Sequence, residues 1–418
     1  MNVCADIAIV GGGPAGASAA IAAARSGHDV LLLDSATFPR DKPCGDGLTP
    51  RAVHELHALG LGEWLASCHQ ITGLRARGFG RTLEMNWPES YFGRSGAAVT
   101  RMKLDARVVE LAVASGARLA ESHRVVETRR NGLRLTSMLC DTPTGPVEVV
   151  AERFLIADGA RSAVGKMLGR RMERTTPYGI AARSYADSEC STDPWIASDL
   201  QMRGADGRTL PGYGWVFPLG DGLVNVGAGC LQTARRPAKL AVNDLIATYG
   251  TTVRDEWRLT SPLRDVKVAM LPMGGAVANI SGPNWLLLGD SAGCVNPLNG
   301  EGIDYGLESG RLALELINAS PGDLTLAWPS VLSREYGAAF AVARRLAQLL
   351  CLPGFLTAAG PVGMRSRRLM EVALRVMANL VVDADTDLVA RAWRAAGHAT
   401  KRAESHPPFF GSTITERH

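Results

Sequence analysis

An unbroken apolar run, Ile7 to Val10, gives way to glycines, an alanine-rich stretch to Arg25, and a second apolar run, Val30 to Leu33, ending on Asp34. Short apolar runs bounded by turns fit strands buried on both faces, and the alanine-rich segment fits a helix, so the opening predicts a βαβ unit. A third run, Phe154 to Ala157, breaks at Asp158-Gly159, and a fourth, Trp285 to Leu288, breaks at Gly289-Asp290 before a helical stretch from Gly300 towards Leu316. Within residues 171–263 the period shortens to two, as in Gly179–Tyr185 and Gly222–Ala228, with Gly/Pro-rich turns between, which predicts an antiparallel sheet. From about Thr325 to Arg402 the pattern is helical and arginine-rich, and His406 to His418 read as a loose tail. The expected fold class is α/β. It has a discontinuous Rossmann-like domain (residues 1–75, 100–170 and 264–325), an antiparallel-sheet domain (76–99 and 171–263) and a C-terminal helical region (326–418).

The glycines bring in the chemistry. In Gly11-Gly12-Gly13-Pro14-Ala15-Gly16, Gly11 allows a tight turn, Gly13 a close approach of backbone to pyrophosphate, and Gly16 close packing of helix on strand, while the helix N-terminus attracts phosphate. Asp34 then stands where an adenosine ribose would hydrogen-bond. The plain alternative is an ordinary α/β turn. NAD needs only this crevice, whereas the later segment offers a second contact to a longer cofactor, which favours FAD. Asp290 fits the ribityl chain, and the backbone N–H groups of Gly302 and Ile303 face the flavin pyrimidine edge, unless Asp290 merely caps a helix. Lys42-Pro43-Cys44-Gly45-Asp46-Gly47 is too rich in glycine and proline for a regular element, so its backbone is free to lie against the flavin. Tyr213, Trp215 and Phe217 alternate on one strand and share a face, forming the wall of an apolar tunnel or a face packed on the core.

The trio of glycine fingerprint, Asp158-Gly159 and Gly289-Asp290 resembles the flavin fold of p-hydroxybenzoate hydroxylase and its relatives. Within that fold, Phe38 to Leu48 (FPRDKPCGDGL) and Pro211 to Pro218 (PGYGWVFP) resemble signatures of the geranylgeranyl reductase family. The runs TFPRDKPCGDGLTPRAV, LPGYGWVFPLG, LPMGGAV and CVNPLNGEGIDYGLE carry the likeness over nearly the whole chain, above all to actinobacterial members that saturate one isoprene unit of the menaquinone side chain. The resemblance implies FAD as cofactor and a polyprenyl quinone, or another geranylgeranyl lipid, as substrate. It also implies that Cys44 borders the isoalloxazine and faces the reaction chamber. There its thiol is the candidate proton donor, with Tyr213 in reserve and simple packing as the alternative. By the same resemblance Arg101 contacts FAD, Val125 lies beside the adenine, and the aromatic wall lines a tunnel for the prenyl chain. With a single glycine fingerprint, the electron donor is expected to be NAD(P)H bound transiently or another redox protein. A flavin monooxygenase or halogenase shares the cradle, although halogenases use a lysine near the substrate and none is assigned here. A prenyl-lipid carrier has no reason to keep Asp290, Gly300 and Gly302.

Composition trims the alternatives. With 418 residues, 46% of them apolar, there is material for two domains, and a net charge of +4 without a basic aromatic stripe argues against nucleic acid. Eight cysteines without paired spacing argue against zinc or iron–sulfur sites, so no metal is expected. A first strand starting by Asp6 leaves no room for a secretory leader, which gives the expectation of a cytoplasmic protein. From Arg344 to Arg402 ten Lys/Arg stand against four acids around an apolar stretch, Leu346 to Met364, interrupted by Pro353, Gly354 and Pro361. That pattern fits contact with an anionic membrane surface through Leu352, Phe355 and Leu356, on the inner face of the cell membrane, or else a buried helical pair with a solvated arginine face.

Overall fold

The computed structural model describes residues 2–204, 207–237, 241–319, 322–404 and Phe410. Asn2–Val10 lies at the centre of an eight-stranded sheet, parallel to Val147–Ile156 on one side and Val30–Leu33 on the other. Trp285–Leu287 and Arg118–Ala120 continue the parallel order outward, and an antiparallel hairpin, Arg124–Asn131 with Arg134–Asp141, branches from Val147–Ile156. The apolar runs are buried as their uniform hydrophobicity requires. Helix Pro14–Arg25 packs on helices Ile303–Ala319 and Arg101–Ala114. Its alanines let the first of these approach closely, to the point that a Cβ at Gly310 would stand 2.5 Å from the Ala15 carbonyl.

A seven-stranded sheet follows the order Arg264–Leu271, Tyr178–Asp187, Leu223–Gln232, Gly212–Pro218, Trp195–Asp199, Gly73–Gly78, Arg81–Asn86. It is antiparallel except where Trp195–Asp199 runs parallel to Gly73–Gly78. Helix Val242–Val253 covers one face, where Gly214 meets the Tyr249 ring. Because strand residues alternate, Tyr213, Trp215 and Phe217 turn to the opposite face.

Domain edges differ from the expected ones. Arg264–Leu271 pairs with Tyr178–Asp187 rather than joining the first sheet, and the strand at Gly73 enters the second sheet before residue 76. Gly96–Ala98 instead forms a small sheet with Gly47–Leu48 and His69–Ile71. Pairing decides these edges: Arg264–Leu271 is an edge strand whose Val266 and Val268 are exposed, so its apolar positions do not mark its partner.

The C-terminal region consists of helices Ala327–Glu335, Gly337–Leu350, Phe355–Arg365, Arg367–Met377 and Leu388–Ala403. No single described helix is long and apolar enough to cross a membrane, and Gly337–Leu350 meets Phe355–Arg365 at 113°. The expected loose tail, 406–418, lies outside the described residues except for Phe410, which stacks on Phe340.

Candidate active site

The turn after the first strand is closed by backbone contact. Gly11 has φ +100° and a Cβ there would stand 2.4 Å from the Ala157 carbonyl oxygen, which is why only glycine fits. Asp34 accepts from the Gly12 N–H (2.8 Å) and the Ala36 N–H (2.9 Å), and it pairs with Arg40, which also reaches Asp105 at 3.0 Å. Asp105 in turn holds the Arg101 guanidinium through two oxygens, at 2.7 and 2.8 Å. The His123 backbone N–H donates to the Asp34 carbonyl at 2.8 Å, which brings the strand carrying buried Val125 alongside.

One cavity of about 510 Å³ joins both sheets and the C-terminal helices. Gly13, Pro14, Ala15, Cys44, Gly45, Asp46, Gly47, Arg101, Asp290, Gly302, Ile303, Tyr213, Trp215 and Phe217 all line it. Gly11, Gly12, Gly16, Asp34 and Val125 do not. At the glycine end the wall is polar: Asp290 turns its carboxyl towards Gly302, and no described residue hydrogen-bonds it. Burial raises the Asp290 pKa against the pull of Lys42, Arg101 and Arg170. Lys42 lies in the same wall, and burial, aided by Arg101, lowers its pKa. An unpaired carboxyl, a helix N-terminus and a lysine facing one space are the donors and acceptors that a dinucleotide carrying polyol and phosphates requires. Lys267 also lines the cavity, tied to Asp41 at 2.7 Å. The structure therefore brings two lysines to the cavity where the sequence assigned none. Lys42 belongs to the polar end, and Lys267 shares the Asp41 carboxylate with Arg183.

Beneath the Cys44 loop lies a polar network that sequence reasoning missed. The Trp215 indole N–H donates to Asn225 Oδ1 (2.9 Å), while Asn225 Nδ2 donates to the Cys44 carbonyl and to Asp46 Oδ2, each at 2.8 Å. The Tyr185 hydroxyl also donates to Asp46 (2.7 Å), and the Arg101 N–H to its other oxygen (3.1 Å). Asp46 is fully buried, so it is an anchor of the loop through its side chain as well as part of the cavity wall. Burial raises its pKa to about 6, against hydrogen bonds from Tyr185 and Asn225 that favour the charged form. Burial likewise raises the Cys44 thiol pKa, so the thiol stays protonated. The only available signal was one polar residue on each of two strands, Tyr185 beside Arg183 and Ser184, and Asn225, which is too sparse to pair them.

Asn225→Ala should cost about 2 kcal/mol, since it strips a partner from Trp215 and from Asp46 at once. The Asp46 part depends on pH. Its folded pKa, about 6, exceeds its ordinary 3.8, so the stability this group contributes is complete below 3.8 and is lost as pH rises through about 6. Removing a donor that favours the charged form raises the folded pKa further, and the extra loss appears only where Asp46 is ionised. Urea denaturation should therefore show a larger deficit at about pH 8 than at about pH 5; an equal deficit would remove Asp46 from the account.

Gly13, the Asp290 carboxyl and the Gly302 backbone border one cavity, as an extended dinucleotide requires, and the fold and site define an FAD-dependent oxidoreductase. Residues 4–318 match the FAD binding domain family, and the chain belongs to it, within the geranylgeranyl reductase group. It is 53% identical to a menaquinone reductase of Mycobacterium tuberculosis over 97% of this chain and 98% of that one. A digeranylgeranylglycerophospholipid reductase of Methanopyrus kandleri is 30% identical over 82% of this chain and 90% of that one. The crystal structure of a geranylgeranyl bacteriochlorophyll reductase-like protein from Thermoplasma acidophilum superimposes with a TM-score of 0.72 at 19% identity, covering 96% of this chain and 98% of the other.

Proposed function

We propose that this protein is an FAD-dependent reductase that saturates a carbon–carbon double bond in the polyprenyl side chain of menaquinone. One observation carries the reading: the cavity that begins at the cofactor loops runs on, without a partition, into an apolar extension. Its far walls are Leu74, Phe79, Ile196 and Leu200 from the second sheet and Phe355, Leu356, Met364 and Leu374 from the C-terminal helices. An elongated hydrocarbon fits such a space and a compact polar substrate does not. The name of the Mycobacterium tuberculosis relative supports the quinone, and that of the Methanopyrus kandleri relative supports a geranylgeranyl lipid more broadly.

Asp290, Lys42, Arg101 and the amides at Gly13 and Gly302 would hold the cofactor, which when bound and reduced would supply a hydride. The chain's own residues do the rest. Tyr213, Trp215 and Phe217 form a continuous aromatic wall with ring centroids 5.8 and 6.3 Å apart, which aligns the prenyl chain and excludes water. Trp215 is fixed by Asn225, so the wall and the Cys44 loop keep one relative position. An unactivated alkene has no carbonyl to polarise, and placement must supply much of the rate. The reading is tested by anaerobic incubation of the reduced protein with menaquinone and mass analysis of the extracted lipid. A gain of two hydrogens in the side chain is expected, and unchanged menaquinone overturns it.

In this reading the substrate resides in a membrane, and the surface near the cavity supports a peripheral location; the cytoplasmic face is part of the same proposal. Leu346, Leu349, Val362 and Leu369 are exposed on the helices that wall the cavity and Leu352 on the turn between two of them, beside exposed Arg345, Arg365, Arg367 and Arg368. Phe355 and Leu356 turn inward to the cavity instead of outward, and Arg344 is buried against Glu404, so neither belongs to the contact surface. Vesicles containing anionic phospholipid should float the protein, and about 0.5 M salt should release much of it by screening the arginines. Equal binding to neutral vesicles at both ionic strengths would leave the arginines without a part. The electron donor, NAD(P)H or a redox protein, is part of the same proposal and is identified by which of them reduces the flavin.

A further inference from the structure

Saturating the double bond needs a proton as well as a hydride. Lys42 and Asp290 stand at the cofactor end of the cavity and Asp46 is held by Tyr185, Asn225 and the Arg101 N–H, which leaves Cys44, Tyr213 and Glu301 as candidate acids. One of them is already engaged: the Tyr213 hydroxyl donates its hydrogen to the Asn299 carbonyl. The Cys44 sulfur accepts from the Asp46 N–H at 3.3 Å and keeps its S–H, so the thiol is the competitor against which Glu301 is tested. Glu301 stands immediately before Gly302 and Ile303, on the turn that opens helix Ile303–Ala319, and it lines the cavity together with Thr49, Leu298 and Asn299. The Tyr213–Asn299 hydrogen bond fastens the aromatic wall to this same turn, so the Glu301 carboxyl lies where cofactor loops and prenyl wall meet.

Its neighbours hold it in place without neutralising it. The Thr49 hydroxyl donates to Oε1 and Asn299 Nδ2 approaches Oε2 at 3.4 Å. Among the described residues no Lys or Arg forms an ion pair with Glu301. The nearby cation, Arg51, is engaged by Glu308 and lies 3.7 Å from Asp304. Asp304, in the first turn of the same helix, is fully buried, neither of its oxygens has a hydrogen-bond partner among the described residues, and its charge acts on Glu301. Two carboxyls in a dry site with one shared cation retain a proton between them.

Accepting the reductase reading above, we infer that Glu301 is the acid that protonates the alkene. The Glu301 O–H bond breaks as the π pair of the alkene takes its proton onto the less substituted carbon. The hydride from the reduced flavin bonds to the more substituted carbon, leaving an alkane, an oxidised flavin and a Glu301 carboxylate that regains its proton from solvent. Acid strength supports the same choice. Burial, then Asp304, raise the Glu301 pKa well above the usual carboxylate range, against Thr49, Asn299 and Arg51, which favours the protonated form that a proton donor needs. Tyr213 is pushed up by burial and then by Glu301, and Cys44 by burial. The other titratable groups acting on this pair of carboxyls are Tyr305 and Glu308 on the same helix and Arg51 and Glu55 on helix Pro50–Leu59.

Glu301→Gln keeps an oxygen for the Thr49 hydroxyl and removes the proton. Flavin content should persist, while anaerobic oxidation of the prereduced variant by menaquinone slows by ~10²–10⁴-fold and loses its solvent deuterium isotope effect. Infrared spectra of the flavin-free protein at neutral pH should show a protonated carboxyl band that the variant lacks. Where Glu301→Gln does not fold, Thr49→Val serves: losing a donor that favours the carboxylate raises the Glu301 pKa and moves the alkaline limb of the pH–rate profile upward. A near-normal rate in Glu301→Gln, an unaltered carboxyl band or a stationary alkaline limb overturns the assignment. Failure of the unaltered protein to hydrogenate menaquinone overturns the reductase reading instead.

Discussion

Gly16→Ala should yield a colourless, destabilised protein. A Cβ at this position would stand 1.9 Å from the Gly11 carbonyl oxygen and 3.2 Å from the Ala157 side chain, and the first of these is backbone at the centre of the turn. No rotamer change relieves a clash between Cβ and main chain, so the helix Pro14–Arg25 must shift away from the strand Asn2–Val10. Overpacking of this kind costs ~1–3 kcal/mol and occasionally more. The shift also moves Gly13, Pro14 and Ala15, which line the cavity, away from Asp290 and Gly302 on its other side. Cofactor affinity should fall by at least about tenfold, roughly 1.4 kcal/mol. Flavin absorbance relative to protein, with a thermal melt, measures both effects. A yellow protein with an unchanged melting temperature would show that the turn is looser than its geometry indicates.

Gly363→Phe tests the other end of the cavity, with the opposite pattern of losses. A Cβ at Gly363 meets only the Met370 sulfur, at an ordinary 3.7 Å, so the backbone accepts a side chain. Both residues line the apolar extension, and a phenyl ring there occupies the path proposed for the prenyl chain. Gly360, one turn earlier, is no substitute: a Cβ there would stand 2.2 Å from the Phe79 ring, and the helix itself would have to move. Menaquinone turnover should fall on the order of a hundredfold, as expected for forcing ~1–3 kcal/mol of bulk against a substrate that must pass it. Flavin content and thermal stability should be retained. Full activity in this variant would place the quinone chain elsewhere and detach the extension from function.

The sequence by itself determined the cofactor half of the protein. Gly11, Gly13 and Gly16, the apolar strands that flank them, and Asp290 ahead of Gly302 are local features. Each follows from what a tight turn, a pyrophosphate or a helix N-terminus demands of neighbouring residues, and such demands are written within a few positions. The alternation of Tyr213, Trp215 and Phe217 was legible for the same reason, because strand period alone puts them on one face. Tertiary structure decided the rest. Whether that face met a core or a cavity depended on helices more than a hundred residues later, and the inward turn of Phe355 and Leu356 depended on the sheet they cover. Asp46 reads as a loop residue until Tyr185 and Asn225 arrive from two other strands to bury it. Glu301 reads as a polar residue between glycines until Thr49, Asp304 and Arg51 enclose it. Burial and long-range pairing set the charge state of a carboxyl, and neither is a property of its own segment of chain.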